Sequence, residues 1–186
     1  MLQVPDDPVS LLVLGHGAGG GIEAPDLTAV RDRALARGVA VARVLQPYRV
    51  AGRRSPAPAG QLDTAWTAVV GELRSRFDRL PLITGGRSSG ARVACRTAEE
   101  LGAVGVICLA FPLHPPGRPE RSRAEELPTA VPTLVLNGDR DPFGIPPASE
   151  EVRVDVLPGA DHSLRKVAAA AGDHAADWLA SHGWAR

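Results

Sequence analysis

The chain carries no net charge, its 21 basic residues being matched by 21 acidic ones. Such a balance excludes the broad field that draws a protein to nucleic acid or to an anionic membrane. Arg53 and Arg54 are adjacent cations in a Pro- and Gly-rich stretch and read as part of a solvated loop. Cysteine is scarce too, with only two in 186 residues. Cys95 falls on an expected helix and Cys108 in an expected strand, so both read as buried thiols and not as a disulfide or metal pair. The five histidines are scattered, without the spacing of a zinc site. No apolar run approaches the roughly 20 residues that cross a bilayer. The opening Met-Leu-Gln-Val-Pro-Asp-Asp lacks the basic-then-apolar order of a signal peptide. The expectation is a soluble, cytoplasmic protein with no cofactor, no metal, and neither nucleic acid nor membrane as partner. Nothing in the sequence marks a protein partner.

What the chain has is alternation. Short, almost continuously apolar runs cover residues 9–14, 39–45, 80–84, 104–110, 133–136 and 152–157. Runs of this kind suit strands covered on both faces of a parallel sheet. Between them lie helical patterns. Residues 25–37 open with Pro and acid and stop at Gly38. Leu62, Ala65, Trp66, Val69, Val70, Leu73 and Phe77 form one stripe, predicting a helix over 61–78. A further helix is expected over 89–101, and another carries Leu164 through Leu179. The pattern predicts one domain spanning 1–186, a doubly wound, mainly parallel six-stranded α/β sheet with helices on both faces. Two longer connections, 46–60 and 111–132, each follow a strand and so belong at the carboxyl edge, where open α/β sheets bind ligands. Connections above about 12 residues are often functional, and these two are expected to shape a cleft.

Gly86-Arg87-Ser88-Ser89-Gly90 lies between a strand and a helix and fits G-x-S-x-G. This turn lifts a serine out of a strand end and sets it at a helix start. Its glycines leave room for neighbouring segments. A serine hydroxyl needs a base to take its proton and a third group to orient that base. The loop after the fifth run, Asn137-Gly138-Asp139-Arg140-Asp141-Pro142, supplies an acid, and Pro158-Gly159-Ala160-Asp161-His162-Ser163 after the sixth supplies a histidine. The candidate catalytic set is therefore Ser88, Asp141 and His162. Asp139 remains an alternative acid, although an aspartate so placed also serves its own turn. Oxyanion donors are expected from the Ser89 amide and from the loop His16-Gly17-Ala18-Gly19-Gly20-Gly21, through Ala18 or Gly19. One such donor is worth about 3–4 kcal/mol in the transition state. Substrate contacts are expected from His16, Gly17, Tyr48 and His114 on the same edge. His16 is better suited to fixing its loop by hydrogen bonds than to acting as a second base.

The glycines of residues 15–20 also satisfy G-x-G-x-x-G. A dinucleotide site nevertheless wants the third glycine inside the opening helical turn and an acid ending the second strand. Here Glu23-Ala24-Pro25 delays the helix, and the strand ends Val44-Leu45-Gln46-Pro47. Residues 85–92 lack the Lys-Ser/Thr pair of a phosphate loop.

The segments Gly15-His16-Gly17-Ala18-Gly19-Gly20, Pro47-Tyr48-Arg49, Gly85-Gly86-Arg87-Ser88-Ser89-Gly90-Ala91-Arg92, Pro112-Leu113-His114-Pro115-Pro116-Gly117 and Asn137-Gly138-Asp139-Arg140-Asp141-Pro142-Phe143-Gly144 carry a family resemblance. The chain resembles the small α/β hydrolases related to dienelactone hydrolase. More closely it is similar to the group that holds a testis-expressed animal protein and a chromatin-complex subunit. The resemblance implies a minimal α/β-hydrolase fold without a large lid, and a triad of Ser88, Asp141 and His162. The expected activity is a serine hydrolase, esterase-like, acting on a small-molecule ester, thioester or related acyl substrate. The alternative is a non-catalytic binding or scaffold module on the same fold.

Overall fold

A computed structural model describes all residues 1–186. Its sheet has seven strands: β1 (Leu2–Gln3), β2 (Ser10–Gly15), β3 (Val39–Val44), β4 (Leu82–Arg87), β5 (Gly105–Leu109), β6 (Thr133–Gly138) and β7 (Val152–Leu157). They lie in the order β1-β3-β2-β4-β5-β6-β7. Six of them, β2 to β7, run parallel, and β1 pairs antiparallel with the outer side of β3. The doubly wound, mainly parallel sheet stands, with one strand more than the sequence predicts. A two-residue strand is too short to carry a period, and this one is added through Leu2↔Ala42 and Gln3↔Val41.

Five helices cover the sheet: α1 (Pro25–Ala36), α2 (Pro47–Val50), α3 (Ala59–Arg76), α4 (Ser89–Thr97) and α5 (Ala168–Ser181). One core joins Leu62, Trp66 and Val70 of α3 and Ala91, Val93 and Ala94 of α4 to one sheet face. The other core joins Leu27, Val30 and Ala34 of α1 and Ala171, Ala175 and Leu179 of α5 to the opposite face. Both faces of the central strands are therefore dry, which explains their unbroken apolar character. Cys95 and Cys108 are buried free thiols, their sulfurs 3.3 Å apart. The hydrogen bond between them and their burial push the Cys95 thiol well up. No helix is long and apolar enough to cross a membrane.

Several boundaries moved for local reasons. β4 continues through Gly85 and Gly86 to Arg87, because its ladder with β5 persists where the apolar run has already stopped. The helix expected over 89–101 ends as an α-helix at Thr97 and closes through turns to Gly102, whose φ is +61°. Leu164 adopts φ 49°, so the last helix starts after it, as a short 3-10 turn (Arg165–Val167) leading into α5. The 46–60 connection contains α2, and the 111–132 connection contains a 3-10 turn at Ala124–Glu126.

The winding reverses between β2 and β4. From β2 the chain crosses to β3 on one side, and from β4 it moves to β5 on the other. Open α/β sheets bind ligands at the carboxyl end of such a switch point. Here it is packed main chain against main chain: Gly15 pairs with Gly86, and a Cβ on Gly90 would sit 2.4 Å from the Gly15 carbonyl oxygen. Gly90→Ala is expected to cost about 1–3 kcal/mol, as overpacking of a tight interior does. Urea unfolding measures it, and an unchanged midpoint and slope would show that the contact is softer than its geometry.

Candidate functional site

Ser88 follows β4 and caps α4 with φ 51° and ψ −112°, a left-handed conformation for a residue with a side chain. Such a conformation costs on the order of 1–3 kcal/mol and persists only when its surroundings impose it. Its amide donates to the Leu109 carbonyl of β5 at 2.9 Å. Gly86 and Gly90 impose the turn from either side, since a Cβ on Gly86 would meet the Gly15 oxygen at 2.5 Å.

The structure brings together the three residues that the sequence singles out. His162 Nε2 lies 2.9 Å from Ser88 Oγ, and His162 Nδ1 lies 2.8 Å from Asp141 Oδ2. A carboxylate accepts only, so Nδ1 carries the proton and Nε2 is left to accept from the serine hydroxyl. The Asp141 side chain is fully buried, while the imidazole keeps a narrow opening to solvent. Asp141 Oδ1 accepts from the Phe143 amide at 2.9 Å, and Oδ2 from Asn137 Nδ2 at 3.3 Å. The Phe143 ring leans on the imidazole with centroids 4.1 Å apart. Asp139, the alternative acid, is exposed and makes no bond to His162.

Two amides beside Ser88 have no acceptor within the protein. Ser89 opens α4, where an amide has no intrahelical acceptor and the helix dipole favours negative charge. Ala18 shares a cleft wall with Ser88 and Ser89, and its amide donates to no other group of the protein. Gly17 backs onto the serine: a Cβ there would lie 3.4 Å from Ser88 Cβ.

Three expected substrate contacts are corrected. His16 is wholly buried; its Nδ1 donates to the Gly17 carbonyl at 2.9 Å and its Nε2 accepts from the Gln46 amide at 3.0 Å. With both ring nitrogens engaged it fixes the glycine loop to the end of β3 and offers nothing to a ligand. Burial pushes its pKa below the ordinary 6.5. Tyr48 is buried beneath the same loop, 6.0 Å from the His16 ring, and lines no part of the cleft at Ser88. His114 folds onto its own loop, with Nδ1 bonded to the Pro115 carbonyl and its ring against Gly144. In all three cases strand-end position is legible in sequence, but side-chain direction is not.

Arg87, the variable residue of the elbow motif, is a participant that sequence reasoning missed. Its Nη2 donates to the His162 carbonyl at 2.8 Å, and its Nε pairs with Asp26 Oδ2 at 2.9 Å. Burial pushes the Asp26 carboxyl up, against the pull of Arg87 and the Leu27 amide. The elbow thereby grips the histidine loop from below while Asp141 holds the ring from the side. Asn137 is a second omission. It accepts from the Phe111 amide at 2.9 Å and donates to the Gly144 carbonyl at 3.1 Å, tying the acid loop to the end of β5.

A family model described as an alpha/beta hydrolase domain matches residues 8–182. No curated protein matches the chain. Among solved structures, an alpha-beta serine hydrolase homologue from Coxiella burnetii superposes with a TM-score of 0.81 at 18% identity, over 96% of this chain and 90% of that one. A lidless a/b serine hydrolase from Xanthomonas campestris gives 0.70 at 20% identity, over 95% and 87%. Dienelactone hydrolase from Anabaena variabilis gives 0.74 at 18% identity, over 100% and 91%. At these identities the likeness is one of fold.

Two expectations follow from this geometry. A strongly deshielded imidazole N–H proton, from His162 bonded to Asp141, is expected in the proton NMR spectrum. It should vanish in Asp141→Asn and broaden in Arg87→Met; a sharp, unshifted signal in Arg87→Met would remove the arginine from any positioning role. The second concerns pH. Unfolded His16 takes up a proton near its ordinary value and the folded residue resists it, so stability falls as pH drops below about 6.5. His16→Gln should flatten the urea midpoint against pH in that window, and an unaltered slope would contradict the burial argument.

Proposed function

The chain belongs to the alpha/beta hydrolase domain family, and on that premise we propose that it is a serine hydrolase of small ester or thioester substrates. The observation that carries the proposal is the unbroken line of contacts from Ser88 Oγ through His162 to Asp141. The resembling motifs around residues 85–92 and 112–117 support a place within the testis-expressed and chromatin-complex-subunit group of that family.

In the scheme, Ser88 Oγ attacks the acyl carbonyl as His162 Nε2 takes the hydroxyl proton, and a C–O bond forms to the serine. The Asp141 carboxylate holds the ring in the required tautomer and stabilises the imidazolium without taking its proton. Charge on the carbonyl oxygen falls to the Ala18 and Ser89 amides, whose orientation is set before substrate arrives. Collapse breaks the bond to the leaving oxygen or sulfur, which departs with the proton from His162. Water then gives its proton to His162 and attacks the acyl-enzyme. The bond to Ser88 breaks, the serine recovers a proton, and a carboxylic acid is released. The scheme runs on the chain's own residues and calls on no cofactor.

A fluorophosphonate probe tests the reading. The wild type should be labelled covalently, Ser88→Ala not at all, and Asp141→Asn slower by roughly a thousandfold or more, as loss of the orienting acid implies. Absence of labelling in the folded wild type would replace the enzyme reading with that of a binding module on the same fold.

A further inference from the structure

Beside Ser88 opens a cleft of about 260 Å³ whose walls come from the two long connections and from α4. Ala18, Ser88, Ser89 and Phe143 line it together with Arg92, Arg96 and Arg123. His162 is not part of its wall. In the proposed scheme the leaving group must lie where His162 can protonate it, so this cleft receives the acyl portion of the substrate.

The charges in the cleft do not cancel. Arg92 holds both oxygens of Glu126 through Nε and Nη2. Arg96 clasps Asp63 with Nε and Nη2, at 2.9 and 2.6 Å, and reaches Glu126 with Nη1 at 3.0 Å. Two carboxylates thus serve two guanidiniums, and the third is left over. Arg123 pairs with no carboxylate. Its one side-chain bond is from Nη1 to the Pro112 carbonyl at 3.1 Å, which tethers one end of the group. Its backbone amide is anchored as well, donating to the Leu113 carbonyl at 2.7 Å. The Nε and Nη2 donors make no bond to the protein, and these form the edge of a guanidinium that grips a carboxylate with two parallel hydrogen bonds. Burial, then the neighbouring charge of Arg92, lowers the pKa of Arg123, and the charge of Glu126 offsets this only in part, so an anion placed there is favoured.

We infer that the Arg123 guanidinium is a carboxylate subsite, and that the substrates are monoesters or monothioesters of short dicarboxylic acids. The inference rests on the acyl chemistry proposed above and names its substrate class. A cleft of about 260 Å³ lies below the size usual for drug-sized ligands, which suits a short acyl chain of four or five carbons ending in a carboxylate.

Two arms separate the subsite from the chemistry. In the first, hydrolysis of monomethyl succinate and monomethyl glutarate is followed by pH-stat against the neutral methyl pentanoate and methyl hexanoate. The wild type should favour the anionic esters in kcat/KM by about tenfold or more, the scale of a charged hydrogen-bonded pair. Arg123→Gln should bring that ratio to near one, Arg123→Lys should restore part of it, and Arg123→Glu should invert it. A purely structural arginine would lower both rates together and leave the ratio alone. In the second arm, binding of monomethyl succinate to Ser88→Ala is measured by calorimetry, with and without Arg123→Gln. Affinity should fall by about tenfold on losing the arginine. Binding that depends on Arg123 without turnover by the wild type would sink the hydrolase scheme and keep the subsite. Turnover of both ester classes at equal kcat/KM, or binding indifferent to Arg123, would overturn the subsite.

Discussion

Main chain meeting main chain, where β2, β4 and α4 converge, is the constraint on which the site depends. Side chains at Gly86 or Gly90 would wedge these elements apart, and the serine between them would relax out of its left-handed conformation. The cost of that conformation, about 1–3 kcal/mol, is offset by packing on both sides. In return, one residue sits at three useful places at once. It ends a strand, so its position is fixed by the sheet. It precedes a helix, so the next amide is left without an intrahelical acceptor beside its hydroxyl. It also lies at the switch point, where the loop after β2 comes close enough to supply a second amide.

The histidine has no such backbone fixture and is held by contacts from four directions. Asp141 bonds to the ring, Phe143 covers its face, Arg87 bonds to its backbone carbonyl, and the Arg140 amide bonds to the Ala160 carbonyl just upstream. Each holder is itself held: Asp141 by the Phe143 amide and Asn137, Arg87 by the buried Asp26 of α1. The imidazole on its loop is therefore set against the acid loop, the end of β4 and, through Arg87, helix α1. That is the precision which proximity effects require, since displacement by about 1 Å costs on the order of a hundredfold in rate.

How much of this was legible in the sequence depended on whether the signal was local. The alternation of apolar runs and amphipathic stripes gave the sheet and most of its helices, because burial on both faces leaves no polar period to confuse the reading. The order of Ser88, Asp141 and His162 was readable for a related reason: each follows a strand, and parallel strands deliver their carboxyl ends to one edge. The two-residue β1 carries no pattern, and its pairing is set by β3. His16, Tyr48 and His114 were placed on the right edge, yet their side chains turn into packing, a choice made by neighbours far away in sequence. Arg87 was hidden for the opposite reason. It occupies the free position of a recognised motif, and its partners Asp26 and His162 come from α1 and from the loop after β7.

The cleft wall shows how a chain without a lid can still present a defined surface. Arg92 and Arg96 lie one turn apart on α4 and face the same way. Glu126, brought in by the 3-10 turn of the 111–132 connection, bridges them, and Asp63 of α3 closes the network through Arg96. Burial alone would raise the Glu126 carboxyl, but Arg92 and Arg96 outweigh it and hold it below the usual carboxylate range. A single exposed ion pair would contribute at most about 1 kcal/mol, too little to order a loop. Here four half-buried groups share bidentate contacts, so the connection is latched to α4, which Arg96 ties in turn to α3. A loop latched in this way holds Arg123 in place before any ligand arrives, and a donor already in position forfeits less entropy on binding than one that must be ordered. The helix that secures the geometry of the serine thus also anchors, one to two turns further along, the connection that carries Arg123.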